Sequence, residues 1–179
     1  MSGRESWSKA FSSDIDYGEE HDMPSELDTR PDWDTYFMDI AQVAAKRSNC
    51  SRRHVAAVVV SDRRIIATGY NGTPRGIKNC FEGGCARCAS DTPSGEGLGE
   101  CICCHAEENA ITHAAYYGTA MQGSTIYCTL SPCLLCVKLI INAGIREVVY
   151  EQEYELSEQS IALLGEAGIA TRQYQRRTD

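Results

Sequence analysis

Two short stretches decide the fold of this chain, His105-Ala106-Glu107 and Pro132-Cys133-Leu134-Leu135-Cys136. Each precedes an apolar run with helical spacing, and proline is common in the first turn of a helix. One imidazole and two thiolates supply three zinc ligands and leave the fourth tetrahedral position for water. A helix N-terminus also favours the thiolate form of cysteine. We therefore predict that His105, Cys133 and Cys136 form a zinc site where two helices begin.

Glu107 is predicted to be the catalytic acid and base of this site. It follows His105 by two residues, so on a helix its side chain points away from the direction of that ligand and toward a bound substrate. Zinc lowers the pKa of water to roughly 7, and a nearby carboxylate can take the proton and pass it to the leaving group. A lone Cys-x-x-Cys is often a structural zinc site or a redox pair, but the two stretches in this order favour catalysis.

The composition narrows the class of protein. The chain has 179 residues, 42% hydrophobic residues and a formal net charge of −8. This length suits one domain with a core of ordinary size. The acidic balance argues against a nucleic-acid partner, because affinity for the phosphate backbone comes mostly from Lys and Arg. Neither a signal segment nor a membrane-spanning run is visible, so we expect a cytoplasmic protein with no membrane partner.

Ten cysteines are a high count for this chain length. In a reducing compartment we expect them to be metal ligands or free thiols rather than disulfides. Six of them lie between Asn79 and Cys104, in a segment without periodicity that needs a local constraint. Cys85 and Cys88 have the spacing of a zinc knuckle, and Cys103 is nearby. The sequence thus predicts a second zinc ion and leaves its ligand set open.

Strands that alternate with helices predict an α/β fold. A first helix begins at Pro31-Asp32, and its predicted apolar face consists of Trp33, Tyr36, Phe37, Ile40, Ala41 and Ala44. Because helices connect the later strands, those strands should be parallel, whereas the first two should form an antiparallel hairpin. The predicted strands are Val55–Val60, Ile65–Gly69, Thr125–Thr129, Glu147–Tyr150 and Ile169–Tyr174, and the predicted later helices are Ala106–Tyr117, Cys133–Ala143 and Ser157–Gly165.

The chain is predicted to consist of an arm and a domain. Residues 1–30 are rich in Ser, Asp, Glu and Gly and have almost no apolar periodicity, which is typical of a flexible acidic arm. Residues 31–179 contain the periodic segments and both ligand stretches, and are predicted to form the catalytic domain.

Three segments resemble the deoxycytidylate (dCMP) deaminases of the zinc-dependent cytidine and deoxycytidylate deaminase superfamily. They are His105–Ile111, Leu130–Cys136 and Gly69–Gly76, and the similarity covers about Arg30 to Tyr174. The Gly-Tyr-Asn-Gly loop is the discriminating segment, because His-x-Glu and Pro-Cys-x-x-Cys are shared by the zinc deaminases in general. The resemblance implies a cytidine deaminase-like fold, a three-layer α/β/α sandwich around a five-stranded mixed sheet.

The resemblance also implies an activity and partners. The expected reaction is hydrolysis of dCMP to dUMP and ammonia in pyrimidine nucleotide metabolism. The expected enzyme is a homohexamer that dCTP activates and dTTP inhibits, with Mg²⁺ accompanying a nucleotide effector. An almost wholly apolar helix around Leu134–Ile141 and the pair Tyr116-Tyr117 indicate contacts between subunits.

Several site residues carry over by position from this resemblance. Asn71 would hold the sugar hydroxyl and the phosphate, and Arg47 and Tyr154 would contact the phosphate. The Ala106 backbone and Glu107 would read the edge of the pyrimidine. A second, structural zinc would be held by Cys50, Cys80, Cys85 and Cys101, with Cys88 and Cys103 as alternates. Basic residues in the first half of the chain fit a phosphate site; they are Arg47, Arg52, Arg53, Arg63, Arg64, Arg75, Lys78 and Arg87.

Other hypotheses stay open. Ala56 stands where the family commonly has glycine near the sugar, and its methyl group would narrow the site. A substrate such as dCTP, a methylated or hydroxymethylated dCMP, or a nucleoside is therefore an alternative. A deaminase acting on tRNA adenosine or a free base is a second alternative, which the acidic pI and the Gly-Tyr-Asn-Gly loop disfavour. A non-catalytic zinc-binding interaction protein is a third, which the intact Glu107 disfavours.

Overall fold

A mixed sheet of five strands forms the centre of the computed structural model, which describes residues 29–154 and 157–176. The strands are β1 (Ala56–Ser61), β2 (Arg64–Tyr70), β3 (Thr125–Leu130), β4 (Glu147–Gln152) and β5 (Ala170–Gln173). Their order across the sheet is β2-β1-β3-β4-β5. β1 pairs antiparallel with both β2 and β3, whereas β3, β4 and β5 run parallel. The predicted hairpin and the predicted parallel strands are confirmed, with bounds shifted by one or two residues.

Helices cover both faces of this sheet. These are α1 (Trp33–Ala45) on one face and α3 (Ala106–Tyr117), α4 (Leu134–Asn142) and α5 (Glu158–Glu166) on the other, whereas the short α2 (Ala86–Ala89) lies in the segment before α3. Val58 and Val60 of β1 pack with α1, whereas the alternate residues Ala57 and Val59 pack in a second cluster with α3, α4 and α5. Burial on both faces explains why β1 is apolar throughout rather than alternating. The three-layer α/β/α architecture is confirmed.

The buried face of α1 differs from the predicted one. Its fully or nearly fully buried residues are Phe37, Met38, Ala41 and Ala45. Trp33 and Tyr36 were expected in this face, but they are 47% and 43% exposed. Small alanines let the helix lie close to the sheet, and the two aromatic rings pack beside Phe37 at the edge of the interface. The predicted apolar face is therefore confirmed at Phe37, Ala41 and the partly buried Ile40, and wrong at Trp33 and Tyr36.

A close contact between β2 and α3 sets the position of the candidate site. A Cβ atom on Gly69 would lie 2.1 Å from the carbonyl oxygen of Ala106 and 2.4 Å from the backbone nitrogen of Ala110. Only glycine allows the backbones of strand and helix to approach in this way. Asn109 Nδ2 also donates to the carbonyl oxygen of Tyr70 at 2.8 Å. The first turn of α3 is thereby held against the end of β2.

The segment between β2 and α3 has little regular structure, as predicted. It contains the short helix α2 and 3₁₀ turns at Cys80–Glu82 and Leu98–Glu100. Its end is tied to the loop after β2, because Cys104 and Gly72 exchange backbone hydrogen bonds of 2.8 and 3.2 Å. This contact brings the loop after β2 beside the first turn of α3.

A compact unit begins at Pro31. The predicted acidic arm falls mainly on residues 1–28, which lie outside the described residues, so the arm stays a prediction. Within residues 29–154 and 157–176, none of the helices has the length and apolar character needed to cross a bilayer.

Candidate active site

His105, Cys133 and Cys136 meet where α3 and α4 begin. His105 and Cys133 immediately precede the two helices, and Cys136 lies in the first turn of α4. The Nδ1 atom of His105 is 3.3 Å from the sulfur of Cys133 and 3.4 Å from that of Cys136. A tetrahedral zinc ion bound at ordinary bond lengths would separate nitrogen and sulfur ligands by about 3.5 Å. The predicted donor set therefore fits zinc.

The three donors change one another's affinity for protons. Hydrogen bonding with Cys136 and with His105 outweighs burial and lowers the pKa of Cys133 to about 4. The hydrogen bond with Cys133 raises the pKa of His105 to about 9. Hydrogen bonding with Cys133, together with burial, raises the pKa of Cys136. The lowered pKa favours the thiolate form of Cys133 at neutral pH, and a metal ion would displace the protons on the other two donors.

Glu107 lies in the first turn of α3 and is only 4% exposed. Burial raises the pKa of its carboxyl group, and the nearby Cys133 adds to this effect. Among the described residues, the close donor group at this point consists of His105, Cys133 and Cys136 and does not include Glu107. The carboxyl group therefore lies beside the donors without being one of them, as the sequence predicts for an acid and base.

A cavity of about 290 Å³ opens in front of these residues. His105, Glu107 and Cys133 line it, so donors and carboxylate face one space. Asn71, Ala106 and Tyr154, which were predicted to contact substrate, also line this cavity. The predicted residues from α3, from the loop after β2 and from the end of β4 are therefore brought together by the fold.

Arg47 is the predicted contact that does not line this cavity; it is exposed just after α1. Arg53 lines the cavity instead, with its guanidinium group 5.3 Å from the centre of the Tyr154 ring. It donates to the hydroxyl group of Ser94 at 2.8 Å. The predicted basic cluster included Arg53, but no motif distinguished Arg53 from the neighbouring arginines.

Two further arginines of the cavity wall form hydrogen bonds with backbone carbonyl oxygens. Arg52 donates to the carbonyl oxygens of Cys88, Ser90 and Thr92, at 3.0, 2.6 and 2.8 Å. Arg87 donates to the carbonyl oxygens of Pro93 and Glu96. These two guanidinium groups hold the segment between β2 and α3 in place, which leaves Arg53 as the better candidate for a phosphate.

Asn71 forms hydrogen bonds through both ends of its side chain. Its Oδ1 atom accepts from the hydroxyl group of Ser48 at 2.7 Å and from the backbone nitrogen of Val55 at 2.9 Å. Its Nδ2 atom donates to the carbonyl oxygen of Arg53 at 2.9 Å. The side chain therefore joins the loop after β2 to the residues before β1.

Ala56 does not have the effect expected from the sequence. It is fully buried, its backbone nitrogen donates to Thr129 Oγ1 at 3.0 Å, and it does not line the cavity. Val55 occupies the cavity wall at this point. The methyl group of Ala56 therefore does not narrow the site, and the expected restriction is wrong because the strand turns this residue into the core.

The cysteines before α3 form two overlapping groups. Within each group the sulfurs lie within 4.8 Å of one another. The predicted ligand set is divided, with Cys50 and Cys80 in one group and Cys85 and Cys101 in the other. The two predicted alternates, Cys88 and Cys103, belong to both. Spacing along the chain did not indicate this arrangement, because Cys50 lies between α1 and β1, far along the chain from the other five cysteines.

The chain is similar in sequence to known proteins. Residues 31–152 match the family described as the cytidine and deoxycytidylate deaminase zinc-binding region. The deoxycytidylate deaminase of Schizosaccharomyces pombe is 50% identical over 145 residues, which are 81% of this chain and 45% of that protein. The deoxycytidylate deaminase of Saccharomyces cerevisiae is 51% identical over 145 residues, with 81% and 46% covered. The chain thus spans less than half the length of these two curated relatives.

A solved structure agrees with this similarity. It is the crystal structure of dCMP deaminase from the cyanophage S-TIM5 in complex with dCMP and dUMP. The TM-score is 0.69 at 33% identity, and the match covers 81% of this chain and 98% of that one. The family match over residues 31–152 includes His105, Glu107, Cys133 and Cys136, and it ends before Tyr154.

Proposed function

The chain belongs to the cytidine and deoxycytidylate deaminases, and from this membership we propose that it hydrolyses dCMP to dUMP and ammonia. The observation that carries the proposal is the convergence of His105, Cys133 and Cys136 beside the buried Glu107, at a cavity that His105, Glu107 and Cys133 line. The deoxycytidylate deaminases among its relatives, and a neighbour crystallised with dCMP and dUMP, support this choice of substrate.

Each residue of the site has a distinct task in this proposal. His105 Nδ1 and the sulfurs of Cys133 and Cys136 hold zinc, which when bound supplies the Lewis acidity that activates water. Glu107 accepts a proton from the attacking water, and it delivers protons to N3 of the pyrimidine and to the leaving amino group. A C4–O bond forms and the C4–N bond breaks, so dCMP and water give dUMP and ammonia.

The cavity supplies the groups that orient the nucleotide. The backbone of Ala106 and the carboxyl group of Glu107 face the pyrimidine edge from the first turn of α3. Arg53 and Tyr154 hold the phosphate, because both line the cavity and the guanidinium group is already stacked on the ring. A bound phosphate would gain charge-assisted hydrogen bonds from Arg53.

We also propose that the chain forms a homohexamer. Tyr116 and Tyr117 are 69% and 66% exposed on α3, and Leu135 is 52% exposed on α4. Exposed aromatic and aliphatic side chains of this kind support contacts between copies of the chain in a homohexamer. Sedimentation analysis of the full chain tests this assembly. Control by dCTP and dTTP, with Mg²⁺ accompanying the effector, stays a prediction of the family resemblance.

The activity is tested with zinc-loaded protein and dCMP, with ammonia and dUMP as the measured products. We expect Glu107→Gln to lower kcat by roughly 10²–10⁴-fold, because the proton-transfer group is lost, while the zinc content is retained. Glu166→Gln is the matched control, because this carboxylate is exposed at the end of α5. Absence of dCMP turnover by the zinc-loaded wild type, or full activity of the Glu107 variant, would contradict the proposal.

Alternative substrates belong in the same assay. Deoxycytidine, dCTP and 5-methylated dCMP each change one part of the nucleotide, so their relative kcat/KM values report on recognition of the phosphate and of the base. We expect dCMP to have the highest value. A preference for dCTP or for the methylated base would move the substrate assignment within the same reaction class.

A further inference from the structure

Six cysteines form one cluster outside the catalytic donor set. Five of them are at most 8% exposed and Cys101 is partly buried. The cluster contains two groups of four cysteines, and within each group the sulfurs lie within 4.8 Å of one another. Cys88 and Cys103 are common to both groups. One group adds Cys50 and Cys80, and the other adds Cys85 and Cys101.

The distances between sulfurs match metal coordination rather than disulfide bonds. Cys101 Sγ lies 3.8 Å from Cys85 Sγ and 3.7 Å from Cys88 Sγ. A tetrahedral zinc ion with Zn–S bonds of about 2.3 Å places neighbouring sulfurs about 3.8 Å apart. A disulfide requires about 2.05 Å. The sulfurs of Cys85, Cys88 and Cys101 are therefore spaced as zinc ligands are, and the sulfurs of the other group lie within 4.8 Å of one another.

One zinc ion would leave this cluster incomplete. If it occupied the first group, Cys85 and Cys101 would remain unbound beside two ligand sulfurs. If it occupied the second group, Cys50 and Cys80 would remain unbound in the same way. Two divalent ions satisfy all six cysteines when the two shared sulfurs bridge them, and each ion then has four sulfur ligands. Six cysteines that hold two zinc ions are a known protein arrangement.

Backbone N–H groups donate to three of the four sulfurs that belong to one group only. Ser51 N donates to Cys80 Sγ and Arg52 N donates to Cys50 Sγ, each at 3.5 Å. The sulfur of Cys85 accepts from the backbone of Cys88 and of Ile102. Such donors stabilise thiolate charge. A terminal thiolate is bound by one cation and benefits most from these donors, whereas a bridging thiolate is already shared by two.

We propose that these six cysteines bind two zinc ions in a binuclear site, with Cys88 and Cys103 as the bridging ligands. The site joins the residues after α1 to the segment before α3. Its bridging ligand Cys103 precedes His105 by two residues, and Cys88, Cys101 and Cys103 line the catalytic cavity. The binuclear site thus builds one wall of that cavity without taking part in the reaction.

Zinc content per chain tests the stoichiometry. The full chain, purified under reducing conditions, is measured by elemental analysis, and we expect three zinc ions per chain. In the double variant His105→Ala/Cys133→Ser, which removes two catalytic ligands, we expect two. This second count does not depend on catalysis, so it distinguishes failure of the binuclear site from failure of the proposed function. Two ions in the wild type and one in the double variant would overturn the proposal.

Paired substitutions test the two halves separately. Both Cys50→Ser/Cys80→Ser and Cys85→Ser/Cys101→Ser should lose one zinc ion each and retain the other cluster ion. A single four-cysteine site that uses one of the two groups would be unaffected by one pair and lost with the other, and that result would overturn the proposal. Cys104→Ser is the matched control, because this sulfur belongs to neither group; its zinc content should be unchanged.

X-ray absorption tests the bridging without altering the cluster. In the His105→Ala/Cys133→Ser variant all bound zinc belongs to the six cysteines. We expect about four sulfur neighbours per zinc, the number of a closed structural site. Three sulfurs and one oxygen per zinc would mean that each ion has its own cysteines, and the bridging would be disproved.

Discussion

The side chain of Asn71 forms its hydrogen bonds within the protein. Its Oδ1 atom accepts from Ser48 and from the backbone of Val55, and its Nδ2 atom donates to the carbonyl oxygen of Arg53. These bonds fix the backbone that presents the Arg53 side chain to the cavity. The predicted contact of Asn71 with sugar and phosphate stays a prediction, and the geometry favours a positioning role through Arg53.

Substitution of Arg53 should affect recognition of the phosphate. We expect Arg53→Met to raise the KM for dCMP by roughly 10- to 100-fold with a smaller change in kcat, because a charge-assisted hydrogen bond to phosphate contributes about 1.5–3 kcal/mol. Arg47→Met should leave KM nearly unchanged, since Arg47 does not line the cavity. Steady-state kinetics of the two variants and the wild type measure this difference.

Deoxycytidine provides the control for the Arg53 experiment. It has no phosphate, so its kcat/KM should be the same for the wild type and for Arg53→Met if the variant is otherwise intact. A larger rise in the dCMP KM for Arg47→Met than for Arg53→Met would restore the assignment that the family resemblance made by position.

The catalytic donors could be predicted from the sequence because each pair of neighbours lies within one helical turn. Cys133 and Cys136 are three residues apart, and Glu107 is two residues from His105. Residues this close along a helix are also close in space, so a short motif is enough to predict that they belong to one site. Arg53 could not be singled out in this way, because its place depends on contacts with Ser94 and Tyr154, far away along the chain. The same limit applies to the loop cysteines, whose groups combine residues from both ends of the segment.

At the scale of elements, the contact between β2 and α3 controls the catalytic geometry. The backbone of Gly69 lies against the first turn of α3, where a Cβ atom would approach Ala106 O and Ala110 N within 2.4 Å. Both of these atoms belong to the backbone, so a side chain at this position displaces the helix itself. Such a displacement would move His105 and Glu107 away from the sulfurs of α4.

Gly69→Ala should therefore lower both stability and activity. We expect the free energy of unfolding to fall by about 3 kcal/mol or more, at the upper end of overpacking effects, and kcat to fall because α3 shifts. Denaturant unfolding and dCMP turnover measure the two effects. Gly165→Ala is the matched control, because Gly165 lies in α5 and a Cβ atom there would meet no atom within 4 Å. The free energy of unfolding of this variant should rise by up to about 1 kcal/mol. Equal stability of the two variants would contradict the close-contact explanation.

The sequence predicted the existence and order of the elements better than their orientation. The predicted bounds of α3, Ala106–Tyr117, are those of the structure, since His105 precedes the helix and Gly118 ends it with a positive φ of 68°. For α1 the periodicity indicated a helix and placed Phe37 and Ala41 correctly in its buried face, but it wrongly included Trp33 and Tyr36. The sheet lies against Phe37, Met38 and Ala41, because the opposing strand surface decides which side of the helix is buried.

For the whole molecule, one ionic network joins the helix on one face of the sheet to three strands. Arg172 on β5 donates to both carboxylate oxygens of Asp34 on α1, at 2.6 and 2.8 Å, and to Glu147 on β4 at 2.8 Å. The hydroxyl group of Tyr127 on β3 donates to Asp34 at 2.9 Å. These contacts connect residues 138 positions apart in sequence and tie the N-terminal helix of the domain to its last strand.

This network predicts a pH dependence of stability. Burial raises the pKa of Asp34, but hydrogen bonds from Arg172 and Tyr127 and the charge of Arg172 outweigh it, and the pKa of the folded protein is lowered. A lowered pKa means that the stabilisation is present above the carboxyl value of the unfolded chain, about 3.9. It is lost as the pH falls through the lower value of the folded protein.

Asp34→Asn should therefore differ from the wild type at neutral pH and converge with it in acid. We expect the free energy of unfolding of the variant at pH 7 to be about 1 kcal/mol lower than that of the wild type, a modest difference because the pair is partly exposed. This difference should shrink as the pH falls below the ordinary carboxyl value of about 3.9. Metal release in acid affects both proteins, so the difference between their unfolding curves isolates Asp34. Asp39→Asn, which removes the more exposed pair with Arg176, should change stability little at any pH. A difference between Asp34→Asn and the wild type that stays constant from pH 7 to pH 3 would mean that the network does not hold the carboxylate in its charged form.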